Sequence, residues 1–388
     1  PMSTRSSNKI QAQDAAWMER ALDHARQSTA LAHPNPRVGA VLVKNNRVVG
    51  EGFHSYDLRD HAEIAALRQA GKNARGSTLY INMEPCCQTG RTGPCSQALI
   101  QAGVRRAVVA MEDPNPLVSG GGIGELRAAG IEVHTGLQEE AARVINEDFA
   151  RWIRTGRPFV TLKTALTLDG QIARRSGSVT WITSPASREE VLRIRHAADA
   201  IITGIGTVLA DDPRLTDRTG LPRRRKLLRC IVDSRLRLPL HSELVKSAKD
   251  DVLVFTAQPA TSAKALALSR AGVEVVSMRP RRKSAHSRVD LREAIAELGR
   301  RQMIHVLIEG GSRLNGAAIE AGLVDKMILF YAPKIMGGGG MPMAQIPSHW
   351  FPKSPALQNL SLRRVGPDFV VEGYFHDVYG NHRASRKN

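Results

Sequence analysis

Four residues near the start of the chain have the types and spacing of a catalytic metal site. His61 and Glu63 are separated by one alanine, and Cys86 and Cys95 follow in the same region. Histidine and cysteine are ligands that Zn²⁺ prefers, and three protein ligands leave the fourth tetrahedral position open for water. Zinc lowers the pKa of a bound water so that hydroxide forms near neutral pH. Glu63 is not needed as a ligand, so it is left to transfer protons.

This set of residues predicts the hydrolytic removal of an amino group from a ring carbon. A His-x-Glu triplet followed by Pro-Cys and a second Cys is the signature of zinc deaminases, in which the glutamate is the general acid and base. The signature has two residues between its cysteines, whereas eight separate Cys86 from Cys95. Two other interpretations stay open: a closed structural zinc site with Cys87 as fourth ligand, and ordinary buried cysteines beside a surface histidine.

Two helix starts and one strand end must position these side chains. His61 and Cys95 each begin an amphipathic run, and a strand-like segment at 78–83 leads to Cys86. A helix N-terminus favours the thiolate, which is the form of cysteine that zinc requires. Open α/β folds build their sites where strand ends and helix starts meet. The spacing therefore predicts a site of this kind.

The chain has 388 residues, long enough for two domains, and shows two successive α/β patterns. Strand-like segments of the first pattern lie at 38–43, 47–53, 78–83, 106–111 and 131–135. Those of the second lie at 158–163, 200–204, 228–233, 252–255, 273–276, 305–308 and 326–331. Continuous apolar strands that alternate with helices predict a mostly parallel sheet covered on both faces. We predict a first domain at 10–140, a connecting helix at 141–157 and a second domain at 158–380.

The second domain contains two glycine-rich segments that suggest phosphate binding. The segment from Glu309 to Ala317 follows a strand and opens a helix. Glycines there let backbone amides approach an anion at the positive end of the helix. The segment lacks the G-x-G-x-x-G pattern, which disfavours an ordinary Rossmann domain. A second run of glycines lies at 337–340, and a flexible turn is the alternative for both segments.

The formal charge of +18 raises the question of a nucleic-acid partner. The densest basic runs, 223–226 and 279–283, carry no interleaved aromatic residues, and the chain is only 4% aromatic. Stacking platforms for single strands need such rings. We therefore favour a solvated basic surface that attracts phosphorylated substrates and cofactors, and we expect no nucleic-acid partner.

The sequence also bears on the compartment. No run of about eighteen apolar residues occurs, so we expect no membrane-spanning helix. The residues at 3–9 lack an apolar signal core. Three of the four cysteines lie in the predicted zinc segment, so they do not make a disulfide framework. We expect a reducing, cytoplasmic location.

Taken together, the motifs closely resemble the bifunctional riboflavin-biosynthesis deaminase–reductases of bacteria. In the first domain the resemblance rests on His33-Pro34-Asn35-Pro36, His61-Ala62-Glu63, Gly90-Arg91-Thr92 and Asp113-Pro114-Asn115-Pro116. In the second domain it rests on Leu168-Asp169-Gly170, Trp181-Ile182-Thr183-Ser184, Leu209-Ala210-Asp211-Asp212-Pro213, Glu309-Gly310-Gly311 and Ala332-Pro333-Lys334. The match covers nearly the whole chain, and the wide gap between the two zinc cysteines is this family's form of the deaminase signature.

The resemblance implies a fold, two reactions and two cofactors. The first domain would be a cytidine-deaminase-like α/β/α sandwich that deaminates a diaminopyrimidinone carrying a ribosylamino 5-phosphate. The second would be a dihydrofolate-reductase-like domain that reduces the ribosyl side chain of the product to ribityl. One Zn²⁺ per chain and NADPH would be the cofactors. The partner would be a small phosphorylated pyrimidine, and the chain would form a dimer or a tetramer.

The resemblance also assigns roles to individual residues. It implies zinc ligation by His61, Cys86 and Cys95, proton transfer by Glu63, and pocket positions at Asn35 and His54. Cofactor contacts would come from Ala165, Trp181, Thr207, Asp211, Gly311, Ser312, Arg313, Leu314 and Asn315. The reductase substrate would lie near Lys163, Val179, Arg195, Leu215, Arg218 and Glu309. Guanidinium groups bind phosphate bidentately, which suits Arg195 and Arg218 as phosphate contacts.

The chain departs from the family pattern in places, and two other functions compete. Cys87-Gln88-Thr89 stands where the family usually has Ser-His-His, and Val179 where a serine is frequent. The first competing function is a nucleic-acid deaminase with a basic RNA-binding second domain, which NADPH binding would argue against. The second is a zinc-stabilised binding protein, which leaves Glu63 unexplained and which ammonia release would exclude.

Overall fold

The computed structural model describes residues 2–89, 93–174, 181–278, 288–347 and 356–380. The chain divides into two compact units, one comprising 1–156 with 222–224, the other 157–221 with 225–388. The domain limits predicted at 140, 157 and 380 stay a prediction. No helix in the described parts of the chain is long and apolar enough to cross a membrane.

The first unit is built on a five-stranded sheet in the order β2-β1-β3-β4-β5. Its strands are β1 (Gly39–Lys44), β2 (Arg47–Phe53), β3 (Thr78–Met83), β4 (Arg106–Met111) and β5 (Glu132–Thr135). β1 pairs antiparallel with β2 and β3, and the remaining pairs are parallel. The helices are α1 (Met2–Gln27), α2 (Ala62–Ala70), α3 (Cys95–Gln101), α4 (Gly121–Ala128), α5 (Glu139–Ile145) and α6 (Glu147–Thr155), and a short 3₁₀ turn spans Gly71–Ala74.

Glycines on the hairpin let helices pack closely on the sheet. A Cβ at Gly39 would lie 2.2 Å from the carbonyl oxygen of Ala21 in α1, and one at Gly50 would lie 2.1 Å from that of Ala66 in α2. Ala40 and Leu42 of β1 share a core with α2 residues, so neighbouring positions of the strand face different helices. The first unit is thus an α/β/α sandwich.

The predicted connecting helix at 141–157 is two helices, α5 and α6, separated at Asn146. Asn146 is fully buried. Its Oδ1 accepts from the backbone N–H of Arg37, and its Nδ2 donates to the backbone carbonyl of the same residue. Its backbone has φ −115° and ψ 20°, outside the helical region. The helical pattern in the sequence does not predict this break, because the hydrogen bonds that cause it join Asn146 to Arg37, which is far away in the chain.

The second unit contains a nine-stranded sheet in the order β11-β10-β9-β8-β12-β6-β13-β16-β15. Its strands are β6 (Phe159–Thr167), β8 (Ala200–Gly204), β9 (Leu228–Val232), β10 (Val252–Thr256), β11 (Val273–Ser277), β12 (His305–Ile308), β13 (Lys326–Ala332), β15 (Gln358–Val365) and β16 (Asp368–Tyr374). β7 (Gln171–Arg174) and β14 (Gly340–Pro342) form a separate two-stranded sheet. The seven strands that the sequence predicts are all parallel to one another. β16 pairs antiparallel with β13 and with β15.

Helices cover this large sheet. They are α7 (Pro185–Ala197), α8 (Ile205–Asp211), α9 (Glu243–Lys246), α10 (Ala263–Arg270), α11 (Leu291–Arg300) and α12 (Ser312–Glu320). Residues of β8 divide between two hydrophobic clusters: Ala200 and Ile202 belong to one, and Ile201 to the other. The alternation means that both faces of the strand are buried, as expected for a parallel strand inside an α/β domain. α8 and α12 begin at the carboxyl ends of β8 and β12, where such sheets bind ligands.

Candidate active sites

His61, Cys86 and Cys95 converge at one point of the first unit. His61 is the N-cap of α2, Cys95 is the first residue of α3, and Cys86 lies three residues beyond β3. Nδ1 of His61 lies 3.5 Å from Sγ of Cys86 and 3.3 Å from Sγ of Cys95. The backbone N–H of Cys95 also donates to Sγ of Cys86 over 3.4 Å. The two helix starts and the strand end therefore meet in the way that the sequence predicts.

The donor set fits a tetrahedral zinc ion. The nitrogen and both sulfur atoms lie within 4.8 Å of one another. Zinc bonds of about 2.0 Å to nitrogen and about 2.3 Å to sulfur, opened to a tetrahedral angle, place those atoms roughly 3.5 Å apart. The two observed nitrogen–sulfur distances match this value. Three ligands with no fourth protein donor are the arrangement of a catalytic zinc site.

Glu63 is buried beside this cluster, with only 3% of its surface exposed. Burial raises the pKa of its carboxyl group to about 7, against the smaller opposing effect of His61. A carboxyl group with a pKa near neutrality can both accept and release a proton at working pH. Its position suits a proton carrier that is not a ligand.

The two clustered thiols are coupled through a hydrogen bond between them. Hydrogen bonding to Cys95 and His61 outweighs burial and lowers the pKa of Cys86 to about 4. The hydrogen bond to Cys86, together with burial, raises the pKa of Cys95. The hydrogen bonds from His61 and from the backbone N–H of Cys95 thus favour the thiolate of Cys86, which is the form of cysteine that binds metal.

Cys87 lies outside the cluster. Its Sγ packs over Gly121, where an added Cβ would come within 2.7 Å of the sulfur. Among the described residues, only His61, Cys86 and Cys95 form a group of metal donors. The structure thus disfavours a closed zinc site with Cys87 as the fourth ligand.

We expect the Cys87→Ser variant to keep about one zinc ion per chain and its deaminase activity, whereas Cys86→Ser and Cys95→Ser should lose both. The reason is that Cys87 does not share the donor cluster although it adjoins Cys86 in sequence. Metal analysis of the three purified variants checks this. Loss of zinc from Cys87→Ser would mean that the ligand set is wrong.

Asn35 and His54 are also brought to this site. The ring of His54 lies edge-on to that of His61, with centroids 5.2 Å apart. Nδ1 of His54 lies 2.9 Å from the carbonyl oxygen of Asp60, which can only accept, so this nitrogen carries the proton. Nε2 therefore accepts from Nδ2 of Asn35 over 3.1 Å. This chain of bonds fixes the amide of Asn35 and leaves its Oδ1 to accept from a ligand.

Glu84, which precedes the Pro-Cys pair, has a role that was not predicted from the sequence. Its Oε2 accepts from the backbone N–H groups of Asp113 and Gly120, at 3.1 and 2.9 Å, and its Oε1 from that of Ile123 at 3.0 Å. The carboxylate thereby ties the segment of Cys86 to the loop before α4 and to the first turn of that helix. Burial raises the pKa of Asp113, on the same loop, to about 6. The sequence signal was an acidic residue beside the Pro-Cys pair, and it does not reveal these backbone partners.

In the second unit, three predicted substrate residues form one largely buried ion cluster. Arg195 of α7 donates to Glu309 from Nε at 2.6 Å and from Nη2 at 3.0 Å. Nζ of Lys163 in β6 donates to the same carboxylate at 3.3 Å. Burial alone would raise the pKa of Glu309, but the charges and hydrogen bonds of Lys163 and Arg195 hold it at about 2. Glu309 is therefore ionised throughout the neutral range.

This geometry changes the expectation for Arg195 as a phosphate clamp. Its Nε and Nη2 donate to Glu309, so this edge of the guanidinium is occupied and a phosphate contact would be left to the side of Nη1. Arg218 is exposed and has no hydrogen-bond or ion-pair partner in the described parts of the chain. Leu215, on the same loop, is a buried core residue with φ 53°. Val179 lies outside the described residues.

The predicted cofactor residues at 311–315 begin α12. Gly311 is its N-cap, and an added Cβ there would contact Oγ1 of Thr207 at 3.6 Å, so Thr207 adjoins this helix start. Asn315 is fully buried; its Nδ2 donates to the carbonyl of Met343 at 2.9 Å, while its Oδ1 has no hydrogen-bond partner. The amides at the start of this nine-residue helix suit a cofactor carrying phosphate groups, whereas Oδ1 of Asn315 needs a donor such as a hydroxyl or amide group.

The remaining predicted cofactor residues lie on other elements. Ala165 is in β6 opposite Phe330, and Asp211 is the exposed last residue of α8. Trp181 is 67% exposed, and the guanidinium of Arg188 lies 4.7 Å from its ring centroid. Nothing in these contacts brings the three residues to the start of α12.

Comparison with known proteins assigns both units. Residues 11–111 match the family described as cytidine and deoxycytidylate deaminase zinc-binding region, and residues 158–371 match the RibD C-terminal domain. The riboflavin biosynthesis protein RibD of Aquifex aeolicus is 39% identical over 92% of this chain and 97% of its own length. The RibD protein of Escherichia coli is also 39% identical, over 92% of this chain and 98% of its own length.

Solved structures give the same result. A structure of Acinetobacter baumannii RibD is 36% identical, with a TM-score of 0.80, and covers 94% of this chain and 99% of its own. A diaminohydroxyphosphoribosylaminopyrimidine deaminase/5-amino-6-(5-phosphoribosylamino)uracil reductase from Thermotoga maritima is 32% identical, with a TM-score of 0.79 and the same coverage.

A zinc-deaminase unit followed by a reductase unit defines a bifunctional deaminase–reductase. The chain belongs to the RibD family of riboflavin-biosynthesis enzymes. This confirms the predicted fold class, the pairing of a hydrolase with an oxidoreductase, and Zn²⁺ and NADPH as cofactors. The alternative of a nucleic-acid deaminase with an RNA-binding second domain is not favoured, because the second unit matches a reductase.

Proposed function

We propose that this chain performs two consecutive steps on one phosphorylated pyrimidine. It would deaminate 2,5-diamino-6-(5-phosphoribosylamino)pyrimidin-4(3H)-one and then reduce the ribosyl side chain of the resulting uracil to ribityl. The observation that carries this proposal is the cluster of His61, Cys86 and Cys95 beside buried Glu63, within a chain whose second unit matches a reductase family. The Thermotoga maritima relative bears the names of both activities.

In the deaminase unit, bound zinc would be held by His61, Cys86 and Cys95 and would supply hydroxide near neutral pH. Glu63, with a pKa of about 7, takes a proton from the attacking water and delivers it to the departing amino group. Oδ1 of Asn35 accepts a hydrogen bond from an N–H of the pyrimidine. His54 keeps that amide in the required orientation through its bond to Nδ2.

In the reductase unit, NADPH would bind at the start of α12 near Thr207 and supply a hydride to the sugar. Lys163 and Arg195 hold the carboxylate of Glu309 ionised and fixed, so that it can accept hydrogen bonds from substrate hydroxyl or N–H groups. Arg218 is the stronger candidate for the phosphate contact, because its side chain has no protein partner in the described residues whereas that of Arg195 does.

The Arg218→Ala variant tests this assignment. Loss of a charge-assisted contact costs roughly 1.5–3 kcal/mol, so the KM for the deaminated phosphorylated substrate should rise about ten- to a hundredfold. The affinity for NADPH should not change. Arg193→Ala is the matched control, because Arg193 is an exposed arginine whose partner is Glu189 on its own helix. An unchanged KM in Arg218→Ala would remove Arg218 from the substrate site.

We also propose that the chain acts as a homo-oligomer in the cytoplasm. β15 lies at the outer edge of the nine-stranded sheet and exposes Leu360 and Leu362, at 63% and 70%. An open sheet edge with exposed apolar side chains favours association. Sedimentation of the purified protein would separate a monomer from the proposed dimer or tetramer.

A further inference from the structure

The loop that carries Asn35 is held by the side chains of two buried asparagines. The backbone N–H of Arg37 donates to Oδ1 of Asn146 at 2.8 Å, and Nδ2 of Asn146 donates back to the carbonyl of Arg37 at 3.0 Å. Nδ2 of Asn82 donates to the same carbonyl at 2.9 Å. The end of the loop is therefore fixed at Arg37, two residues after Asn35.

One carboxylate is hydrogen-bonded to one end of this loop and lies within ion-pair distance of the other. Oδ2 of Asp148 lies 2.6 Å from Nη2 of Arg37 and 3.2 Å from Nε2 of His33. Asp148 and His33 are almost fully buried, with side-chain exposures of 1% and 3%. Oδ1 of Asp148 accepts from the backbone N–H of Phe149 at 2.8 Å. Asn35 lies midway between the two residues that this carboxylate contacts.

Asp148 is not part of the predicted deaminase domain at 10–140. It lies in the first turn of α6, where the positive end of a helix favours a carboxylate. A buried ion pair adds little net stability compared with apolar packing, but removing one partner leaves an uncompensated charge and disturbs the geometry around it. The pair at Asp148 is therefore suited to setting the conformation of the loop.

We propose that Asp148 is a positioning residue for deamination, which sets Asn35 in the pyrimidine pocket through Arg37 and His33 without touching the substrate. This rests on the proposed function, because it takes Asn35 as a contact to the pyrimidine. The proposed substrate is the same phosphorylated pyrimidine. Asp148 determines how well Asn35 is placed to accept from an N–H of its ring.

The Asp148→Asn variant of the full chain is the first test. The KM for deamination should rise about tenfold, the value for loss of one charge-assisted contact, while kcat stays within about twofold. Zinc content should remain about one per chain. Asp14→Asn is the matched control, because Asp14 is a carboxylate of the same unit that bonds Arg106 and Tyr80, and its KM should not change.

A double-mutant cycle with Asn35→Ala separates positioning from general destabilisation. If Asp148 acts through Asn35, Asp148→Asn should raise KM by less than about twofold in the Asn35→Ala background. A full additional tenfold rise there, loss of zinc, or an equal effect in Asp14→Asn would overturn the proposal. If Asp148→Asn does not fold, Arg37→Lys takes its place in the cycle, because a lysine weakens the same pair while keeping its charge.

The cycle also distinguishes this proposal from the function on which it rests. If Asn35→Ala alone leaves KM unchanged, then Asn35 is not a pocket residue, and both the pocket assignment and the role of Asp148 are wrong. If Asn35→Ala raises KM but Asp148→Asn does not, the pocket assignment holds and only the positioning role is wrong.

Discussion

Replacing Glu63 with glutamine should lower the rate of deamination by about a hundred- to ten-thousandfold while zinc stays bound. General acid–base groups typically contribute about this much to a rate. Glutamine keeps the shape of Glu63 in its buried position but cannot carry the proton from water to the leaving ammonia. The measurement is ammonia release from the diaminopyrimidinone, with zinc content determined on the same protein.

The second unit supplies the internal control for this variant. Reduction of substrate that has already been deaminated should proceed at the normal rate in Glu63→Gln, because the reductase residues lie in the other unit. Deamination at near-normal rates would contradict the assignment of Glu63. Loss of zinc would instead show that Glu63 supports the metal site and not the proton transfer.

Replacing Arg195 with alanine should weaken reduction by at least about tenfold, with most of the loss in KM for the sugar substrate. Arg195 donates two hydrogen bonds to the largely buried Glu309, so its removal leaves that carboxylate with Lys163 alone. NADPH affinity should change little. Arg193→Ala, which removes an exposed arginine from the same helix, is the control.

The same variant should have an altered pH profile. In the wild type the pKa of Glu309 is about 2, whereas the ordinary value is roughly 4.3. The ion cluster therefore stabilises the fold fully above a pH of roughly 4.3, and this stabilisation is lost as the pH falls through about 2. Without Arg195, only Lys163 opposes the effect of burial on Glu309, so the pKa of Glu309 rises. Reduction should then fail at a higher pH than in the wild type or in Arg193→Ala. If the acidic side of the pH–activity profile does not shift and the affinity for NADPH falls, then Arg195 faces the cofactor.

The zinc site could be predicted from the sequence because its signals are local. His61 and Cys95 each stand at the start of a helix, and Cys86 follows a strand, so the spacing alone indicates convergence. The positions of Glu84 and Asp148 could not be predicted in this way. Their roles depend on hydrogen bonds to loops that are distant in sequence, and no periodic pattern records such contacts.

The sheet of the second unit also has strands that the sequence predicts and strands that it does not. Its parallel strands are apolar runs and were predicted, whereas β15 and β16 were missed. β15 is exposed along nearly its whole length, so its sequence carries no core-facing alternation. The predicted use of Arg195 as a phosphate clamp rested on residue type, and the structure shows that Glu309 already occupies the Nε and Nη2 edge of its guanidinium.

The most direct test of the whole account is a time course with the zinc-loaded wild-type protein, the diaminopyrimidinone phosphate and NADPH. We expect ammonia to be released with or without NADPH, and NADPH to be oxidised only after deamination, with about one NADPH consumed for each ammonia released. Oxidation of NADPH without ammonia release, or ammonia release that is never followed by NADPH oxidation, would contradict the assignment of two consecutive reactions to this chain.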